Sequence, residues 1–268
     1  KVSLQSLIEE WSGMDEDNYR VPGGYSRLID HLEQQCRDKN VHIITGETVK
    51  QVDWEENDVT IYTGQQKYSA HKLIVTIPVS LLQQSLQSYS INFTPPIDEQ
   101  VHAANDIGFG SVVKVVIRFH QSLWKADTGF LFSNEIVPVW WTQFPDTTPL
   151  LTGWIGGSKA AVLKDMTNEE ILAKAIASLA SIFSKTPDEI RQLIAASHVF
   201  NWLQIPESSG AYSYPTPLTK AAIQLLQQPL LDTVYFAGEA IYSGEHPGTV
   251  EAALESGKGV ASKILNEQ

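Results

Sequence analysis

Residues 234–263, VYFAGEAIYSGEHPGTVEAALESGKGVASK, decide how the rest of the chain is interpreted. A run of β-branched and aromatic residues stops at Gly238, and a long helical pattern begins beyond Pro247. The pattern predicts a strand, a loop and a helix. Gly238 lets the backbone approach a ligand closely, because glycine has no Cβ. The free N–H groups of residues 248–250 form an electropositive helix start, so the stretch indicates a cofactor or anion site.

Composition sets the broad class of the protein. The chain has 268 residues, 43% of them apolar, which is enough for a sizeable core in one large domain or two. No window contains the roughly 18 uninterrupted apolar residues that indicate a membrane span. Lys and Arg total 19 against 31 Asp and Glu, and the net charge of −12 argues against nucleic acid as a direct partner.

Cys36 is the only cysteine, which excludes an internal disulfide and favours a reducing, cytoplasmic location. The seven histidines form no His-x-x-x-His or His-x-His cluster, so we expect no metal centre. The sequence starts at Lys1 without a signal-peptide pattern, which predicts a further segment upstream.

Hydrophobic periodicity predicts a mixed α+β or α/β fold. Helices are expected over residues 4–11, 25–37, 80–86, 95–105, 168–183 and 187–196. Between residues 41 and 77, four alternating stretches (VHIIT, VKQVDW, VTIYT and KLIVTI) predict a small β-meander. Further strands, expected to form a second sheet, cover residues 110–119, 130–132, 137–143, 150–155 and 197–202.

Several motifs, taken in order, resemble the flavin-containing amine oxidases, the family of monoamine oxidases, polyamine oxidases and amine-oxidase-type histone demethylases. They are VPGGYSRLIDHL (21–32), KLIVTIPVSLL (72–82), GFGSVVKVVIRF (108–119), YFAGEA (235–240) and HPGTVEAALESG (246–257). The resemblance covers nearly the whole chain. It implies an FAD-binding part formed by residues 1–78 and 198–268, and a mixed-sheet substrate domain with helices over residues 79–197.

The family's N-terminal βαβ unit, with its G-x-G-x-x-G fingerprint, has no counterpart in this sequence. The GFG of residues 108–110 has Val113 at the third glycine position and leads into a strand, and the GKG of residues 257–259 lies inside the last helix. The resemblance therefore implies a C-terminal portion with an incomplete FAD-binding domain, which by itself binds FAD weakly or not at all.

Lys114 matches the family's lysine that holds a water near flavin N5. Val112 and Val116 share its face of the strand, which predicts a partly desolvated ammonium group in need of a partner. The alternative interpretation is a solvated lysine on an edge strand, where it protects the sheet from aggregation.

Tyr212 falls where the family places one aromatic wall of the substrate channel, and an aromatic face can orient an amine. A core or loop tyrosine is the alternative. Ala211 stands where monoamine oxidases carry the cysteine bonded to flavin, which implies noncovalent FAD. Thr249 occupies the position of the second aromatic wall, so the resemblance implies an incomplete aromatic pair and a wider range of substrates.

The resemblance also assigns contacts with FAD. Gly238 and Glu239 match the turn beside the ribityl and pyrophosphate groups. Thr249 and Val250 match the helix start that faces the flavin pyrimidine ring, where it would stabilise charge on the reduced flavin. Helix capping is the alternative role of Thr249.

Two weaker matches complete the set of candidate cofactor contacts. Val49 resembles the residue whose backbone meets the adenine, and Trp202 resembles an aromatic residue beside the isoalloxazine ring. Ordinary core positions would explain both equally well, because strand valines and buried tryptophans are common.

The resemblance implies the oxidation of an amine to an imine, with hydride transfer to flavin and reoxidation by oxygen. One alternative is a noncatalytic module that self-associates or pairs with a chain carrying the glycine fingerprint. Another is a related flavoenzyme acting on amino acids or unsaturated rings. Amino-acid oxidation calls for an arginine clamp on the carboxylate, and none of the five arginines lies in a recognised channel motif: Arg20, Arg27, Arg37, Arg118 and Arg191.

Overall fold

A computed structural model describes residues 2–3, 21, 23–83, 91–244 and 246–266, so the helix predicted over residues 4–11 lies outside the described residues. The helices, in chain order, are α1 (Ser26–Asp38), α2 (Val79–Leu82), α3 (Asp98–Asn105), α4 (Gly157–Ala161), α5 (Asn168–Phe183), α6 (Pro187–Leu193), α7 (Thr219–Leu226) and α8 (Val250–Asn266). The strands are β1 (Val49–Glu55), β2 (Asp58–Thr63), β3 (Lys67–Ala70), β4 (Leu73–Val75), β5 (Asn92–Thr94), β6 (Gly108–Phe109), β7 (Val112–Phe119), β8 (Phe130–Phe132), β9 (Val139–Trp141), β10 (Leu150–Gly156), β11 (Ile194–Asn201), β12 (Ser213–Tyr214) and β13 (Val234–Phe236).

The widest sheet places β11, β7, β10, β9 and β8 side by side, with every neighbouring pair antiparallel. Alternation along β7 puts Val115 and its same-face neighbours into the interior, where Val115 is fully buried. The helices α5 and α6 contribute Leu179 and Ile190 to the same hydrophobic core, and both side chains are fully buried. This core therefore holds the helices against one face of the sheet. Each Å² of apolar surface that it removes from water contributes about 25 cal/mol to stability.

Both helices of that layer begin at a capping box, which satisfies backbone N–H groups that a helix start leaves free. At α5, the Glu170 N–H donates to Thr167 Oγ1 at 3.2 Å, and the Thr167 N–H donates to Glu170 Oε2 at 2.8 Å. At α6, Thr186 and Glu189 repeat the arrangement at 3.2 and 2.7 Å. The sequence thus specifies where each helix starts against the sheet.

A second hydrophobic core joins β4, β13, α3 and α7. The strands β4 and β13 form a two-stranded parallel sheet, and Phe236 packs into a core that also contains the fully buried Leu226. A four-stranded sheet in the order β3-β2-β1-β5 adjoins it. Trp54 belongs to that sheet and packs on the second core, and its Nε1–H donates to the carbonyl oxygen of Pro95 at 2.9 Å.

The predicted β-meander is corrected in two places. Residues 41–45 form no strand, and the side chains of Val41, Ile43 and Ile44 are exposed. The stretch KLIVTI supplies β4, which pairs with β13 in a different sheet, and the third strand of the meander is β3. Alternation in a sequence predicts which face a residue takes, but the choice of a partner strand depends on distant parts of the chain.

Most of the remaining element predictions are confirmed. The predicted helix over residues 80–86 lies partly outside the described residues, and its described part is α2, which ends at Leu82. Helix α5 spans the predicted residues, β7 and β8 lie where alternation indicated, and α1 and α6 differ from prediction only at their ends. The mixed α+β class is confirmed. The second core contains Val79 and Ile107, which the predicted division assigns to the substrate domain. The division at residues 78 and 198 itself stays a prediction.

Candidate functional site

The loop between β13 and α8 begins at Gly238, which has φ of +148° and ψ of 174°. This conformation strongly favours glycine, because a side chain would be strained there. Its N–H donates to Ser256 Oγ of α8 at 3.0 Å, so the loop is held against the helix. A Cβ placed on Gly238 would meet no atom within 4 Å. The backbone at Gly238 therefore faces open space that a ligand group can approach.

Glu239 ties this loop to the segment that carries Tyr212. Its carboxylate accepts hydrogen bonds from the Ser213 N–H at 3.1 Å and the Ser213 hydroxyl at 2.6 Å. A Cβ on Gly248 would lie 3.6 Å from Tyr212 Cδ2 and 3.9 Å from Glu239 Oε2. The fold thus brings together Tyr212, Glu239 and the residues that lead into α8.

Thr249 caps α8. Its hydroxyl accepts from the Ala252 N–H at 3.1 Å and donates to the His246 carbonyl oxygen at 2.8 Å. The capping role considered from the sequence is therefore present. Capping leaves other first-turn N–H groups of the helix without intrahelical partners, and Val250, the first helical residue, is exposed. The start of α8 retains the electropositive character that favours an electron-rich ligand.

Lys114 lies on β7, which has β11 on one side and β10 on the other. The edge-strand interpretation therefore does not apply. Its side chain is half-buried, and Phe200 and Trp154 are its direct partners on the two neighbouring strands. Because directly paired residues share a face of the sheet, Lys114 stands in a row with two aromatic side chains.

A pair of backbone hydrogen bonds connects the Tyr212 segment to the start of β7. The Gly110 N–H donates to the Tyr212 carbonyl oxygen at 2.7 Å, and the Ala211 N–H donates to the Gly110 carbonyl oxygen at 2.9 Å. Gly110 precedes β7 by two residues. The loop with Tyr212 is consequently fastened beside the strand that carries Lys114.

The two weaker candidates lie in different surroundings. Trp202 starts the 3-10 turn Trp202–Gln204 that follows β11, and it is 39% exposed, so it is not an ordinary core tryptophan. Val49 is the half-buried first residue of β1 and belongs to the four-stranded sheet. The structure therefore places Trp202 after the strand that pairs with β7, whereas Val49 lies in a separate sheet.

Several residues of this region were not among the sequence predictions. Ser213 anchors Glu239, and Phe200, Trp154 and Arg118 share the face of Lys114. Alternation along β7 placed Lys114 and Arg118 on one face, but nothing in the sequence indicated which strands flank β7. The aromatic neighbours of Lys114 on the adjacent strands are identified only by the pairing register of the sheet.

The side chains with a shifted pKa lie away from this site. A hydrogen bond from Gln51 lowers the pKa of the Asp53 carboxyl, and the hydrogen bond to Glu47 raises the pKa of the Tyr68 phenol. Both residues belong to the four-stranded sheet, where the shifts accompany structural hydrogen bonds. Among the described residues, no group of three His, Cys, Asp or Glu side chains could hold a metal ion. Two shallow surface depressions, of about 360 and 280 Å³, are lined by other residues.

Comparison with known proteins identifies the family. A sequence profile of the flavin-containing amine oxidoreductases matches residues 6–265. The chain belongs to this family. Its sequence is 28% identical to human lysine-specific histone demethylase 2 over 264 residues, covering 92% of this chain and 30% of that protein. It is 26% identical to human peroxisomal N(1)-acetyl-spermine/spermidine oxidase over 231 residues, covering 75% of this chain and 43% of that protein.

Solved structures of amine oxidases share the fold. A putrescine oxidase variant with redesigned cofactor binding superposes with a TM-score of 0.75 at 20% identity, covering 92% of this chain and 53% of that one. Cyclohexylamine oxidase from Brevibacterium oxydans IH-35A gives a TM-score of 0.65 at 22% identity, covering 82% and 48%. The chain thus spans about a third to a half of the length of these proteins. Within its described part, no helix is both long and apolar enough to cross a bilayer.

Proposed function

We propose that this protein takes part in the FAD-dependent oxidation of an amine to an imine, with oxygen as the final electron acceptor. The observation that carries the proposal is the assembly of Gly238, Glu239, Tyr212 and the start of α8 around one loop, fastened beside the strand that bears Lys114. Family membership supports a flavin as the cofactor of the whole protein. We also propose the cytoplasm as its location.

The residues of this loop fit one side of a noncovalent FAD site. The open space in front of Gly238 admits a bulky group, and the start of α8 favours partial negative charge. Glu239 holds the Tyr212 segment in place through Ser213. When bound, FAD supplies the two-electron acceptor for the amine α-carbon.

Three side chains, those of Tyr212, Lys114 and Trp202, have proposed roles in this reaction. Tyr212 offers an aromatic face that orients the amine. Lys114 holds a water molecule through its ammonium group, in a half-buried position where competing bulk water is reduced. Trp202 is exposed at the end of β11, where it would lie against the cofactor ring and restrict solvent.

We further propose that a dinucleotide-binding unit with the glycine fingerprint completes the site by pairing along β4. The Leu73 N–H donates to the Thr233 carbonyl oxygen at 2.9 Å, and the Ala237 N–H donates to the Val75 carbonyl oxygen at 3.0 Å. The intervening Ile74 therefore directs its backbone N–H and C=O away from β13. Ile74 is also 39% exposed. Parallel sheets are normally wide and covered on both faces, so a two-stranded parallel sheet with an exposed isoleucine suits pairing with a further unit.

The division of the chain into an FAD part and a substrate part is likewise proposed. The five-stranded sheet with α5 and α6 forms a core of its own and suits a substrate domain. Residues 79–83 and 91–107 pack on the second core with β4 and β13, so we propose that they accompany the FAD part. A noncatalytic role remains the second candidate, because α1 has no buried residue and offers a surface for a partner.

The role of Lys114 is tested on the longest native polypeptide that contains these 268 residues. Lys114→Met is expected to slow flavin reduction by amine or flavin reoxidation by oxygen at least tenfold, measured by stopped-flow absorbance. Lys220→Met, which alters an exposed lysine of α7, serves as the matched control. Wild-type rates for both half-reactions in Lys114→Met would remove its assigned role, and absence of bound flavin in the native polypeptide would contradict the function itself.

The pairing along β4 is tested by Ile74→Lys, because a lysine on a strand edge opposes further pairing. The measured quantity is the FAD retained per mole of native polypeptide after desalting. Ile74→Lys should lower retention about tenfold, and Val162→Lys, at a 66% exposed site beside the other core, should leave it unchanged. Equal FAD retention in Ile74→Lys and Val162→Lys would show that the dinucleotide-binding unit does not pair along β4.

A further inference from the structure

The five-stranded sheet has a second face, turned away from α5 and α6, whose residues follow from the ladder register. We call it the open face. One row across the strands is Phe200, Lys114, Trp154, Val139 and Phe132. The next row is His198, Val116, Thr152, Trp141 and Phe130.

Aromatic side chains dominate the open face and are only partly covered. Phe132 is 77% exposed and Phe130 is 60% exposed, and their rings stack with centroids 5.9 Å apart. At the opposite edge of the same face, on β11, the ring centroids of Phe200 and His198 lie 4.4 Å apart. Trp154 and Trp141, between these two edges, are half-buried, so the accessible aromatic surface is largest at the edges of the sheet. Accessible aromatic side chains on a sheet suit the binding of an apolar group.

The ionisable groups in these two rows are basic. In the two rows only Lys114 and His198 can ionise, and the next position along β7 on this face is Arg118. None of the ten positions carries a carboxylate. A ligand lying on the open face therefore meets positive charge and aromatic carbon, with no acidic partner at these positions for an ammonium group.

We propose that the open face binds the body of the amine substrate and selects an amine with one basic nitrogen and an apolar or aromatic body. This proposal rests on the proposed function, because Lys114 places the open face beside the reacting nitrogen. A polyamine with its first nitrogen beside Lys114 would bring its other ammonium groups toward His198 or Arg118. Di- and polyamines are therefore disfavoured, whereas a phenylalkyl chain stacks on the aromatic rows.

The position of Arg118 also argues against an α-amino acid as substrate. Arg118 lies four residues from Lys114 along β7, which corresponds to about 13 Å at the usual strand rise. The carboxylate of an amino acid is attached to the carbon that would be oxidised, so a clamp has to lie within hydrogen-bond reach of that carbon. Arg118 is too far along the strand to act as this clamp and instead adds to the repulsion of distant ammonium groups.

The test measures binding without flavin, on the 268-residue chain labelled with 5-fluorotryptophan. Trp154 and Trp141 lie on the open face, whereas the neighbouring Trp140 is fully buried in the core and reports on general effects. Resonances are assigned by single Trp→Phe substitutions. We expect 2-phenylethylamine to shift the Trp154 and Trp141 signals with at least tenfold higher affinity than spermidine, and to leave Trp140 unchanged.

Charge reversal sharpens the test. Arg118→Glu should raise the affinity for spermidine at least threefold, and Lys220→Glu, which makes the same change on α7, should not. Phe132→Ser should weaken binding of 2-phenylethylamine, with Leu218→Ser as the control at another exposed apolar site. Equal binding of both amines, or an unchanged spermidine affinity in Arg118→Glu, would overturn the proposal.

The outcome is separable from that of the proposed function, because no flavin is present in the binding assay. Selective binding of 2-phenylethylamine, together with a native polypeptide that never reduces flavin, would sustain the open face as a binding site and contradict amine oxidation. Oxidation of spermidine in preference to 2-phenylethylamine by the native polypeptide would sustain the oxidase and overturn the selectivity.

Discussion

The five-stranded region (residues 112–201) and the glycine-loop region (α1, β4 and residues 234–244 and 246–266) differ in how completely their helices are packed. In the first, one face of the sheet is covered by helices, and most of its core side chains are fully buried. In the second, α1 has no buried residue and α8 buries Ala252 alone. The five-stranded region buries the apolar side chains of one sheet face against its own helices, whereas α1 and α8 of the glycine-loop region leave most of their side chains uncovered.

We propose a functional meaning for this difference. A rigid sheet holds Lys114 and its aromatic neighbours in a fixed row, which suits the orientation of a small substrate. Ala240 and Ile241 anchor the Gly238 loop in the second core, while Val250 at the start of α8 is exposed. We propose that this arrangement suits a site shared with another unit. Stability is therefore expected to reside mainly in the five-stranded region, and changes there should be the most costly.

The largest contrast is expected from removing apolar side chains. Leu179→Ala in α5 should lower the free energy of unfolding by about 2–5 kcal/mol, because it leaves a cavity in a fully packed core. Ile29→Ala on α1, where the side chain is 58% exposed, should change it by about 0.5 kcal/mol or less. Urea denaturation of both variants measures the difference, and similar costs would remove the distinction between the regions.

A smaller contrast is expected when a methyl group is added. A Cβ on Gly153 of β10 would lie 2.7 Å from the Trp140 ring and 2.8 Å from Val137, so Gly153→Ala should cost about 1–3 kcal/mol through overpacking. Gly64→Ala is the control, because a Cβ there meets nothing within 4 Å. Thermal unfolding of the two variants provides the comparison. A neutral Gly153→Ala would indicate a looser core than the buried side chains suggest.

Two threonine caps allow the same change in both regions. Thr167→Ala at α5 should reduce global stability by about 1 kcal/mol, because the helix is part of the packed core. Thr249→Ala should instead fray the start of α8, seen as faster amide hydrogen exchange at residues 250–253 with little change in the urea midpoint. A global loss in Thr249→Ala equal to that in Thr167→Ala would show that α8 is already integrated into the main cooperative unit.

The smallest effect concerns pH. Hydrogen bonds from the backbone and hydroxyl of Thr186 lower the pKa of Glu189 below its ordinary value of 4.5. The stabilisation is present above that ordinary pKa and is lost as pH falls through the lower folded-state value. Glu189→Gln should therefore flatten the acid limb of the stability curve below about pH 4.5, measured by urea midpoints at stepwise lower pH. An unchanged acid limb would remove this contribution.

Much of the local structure was predictable because its causes are local. Strand β7 follows from the alternation of valines with Lys114 and Arg118, and α5 follows from its capping box and helical spacing. The loop at Gly238 was indicated by a glycine that ends a β-branched run. The pairing of strands was harder to predict, since residues 41–45 alternate like a strand and form none. A ladder needs a partner backbone, and partner choice is not encoded within the alternating segment.

In the candidate site, too, some features follow from the local sequence and others from the tertiary structure. By itself, the sequence determined the positions of the helices and most strands, the family of the protein, and the residue types at the loop and helix start, because each depends on short-range pattern and composition. Only the tertiary structure decided that Lys114 stands between aromatic side chains, that Glu239 anchors Tyr212 through Ser213, and that β4 pairs with β13 alone among the described strands. These features arise from contacts between residues far apart in the chain, where the packing of whole elements selects the partners.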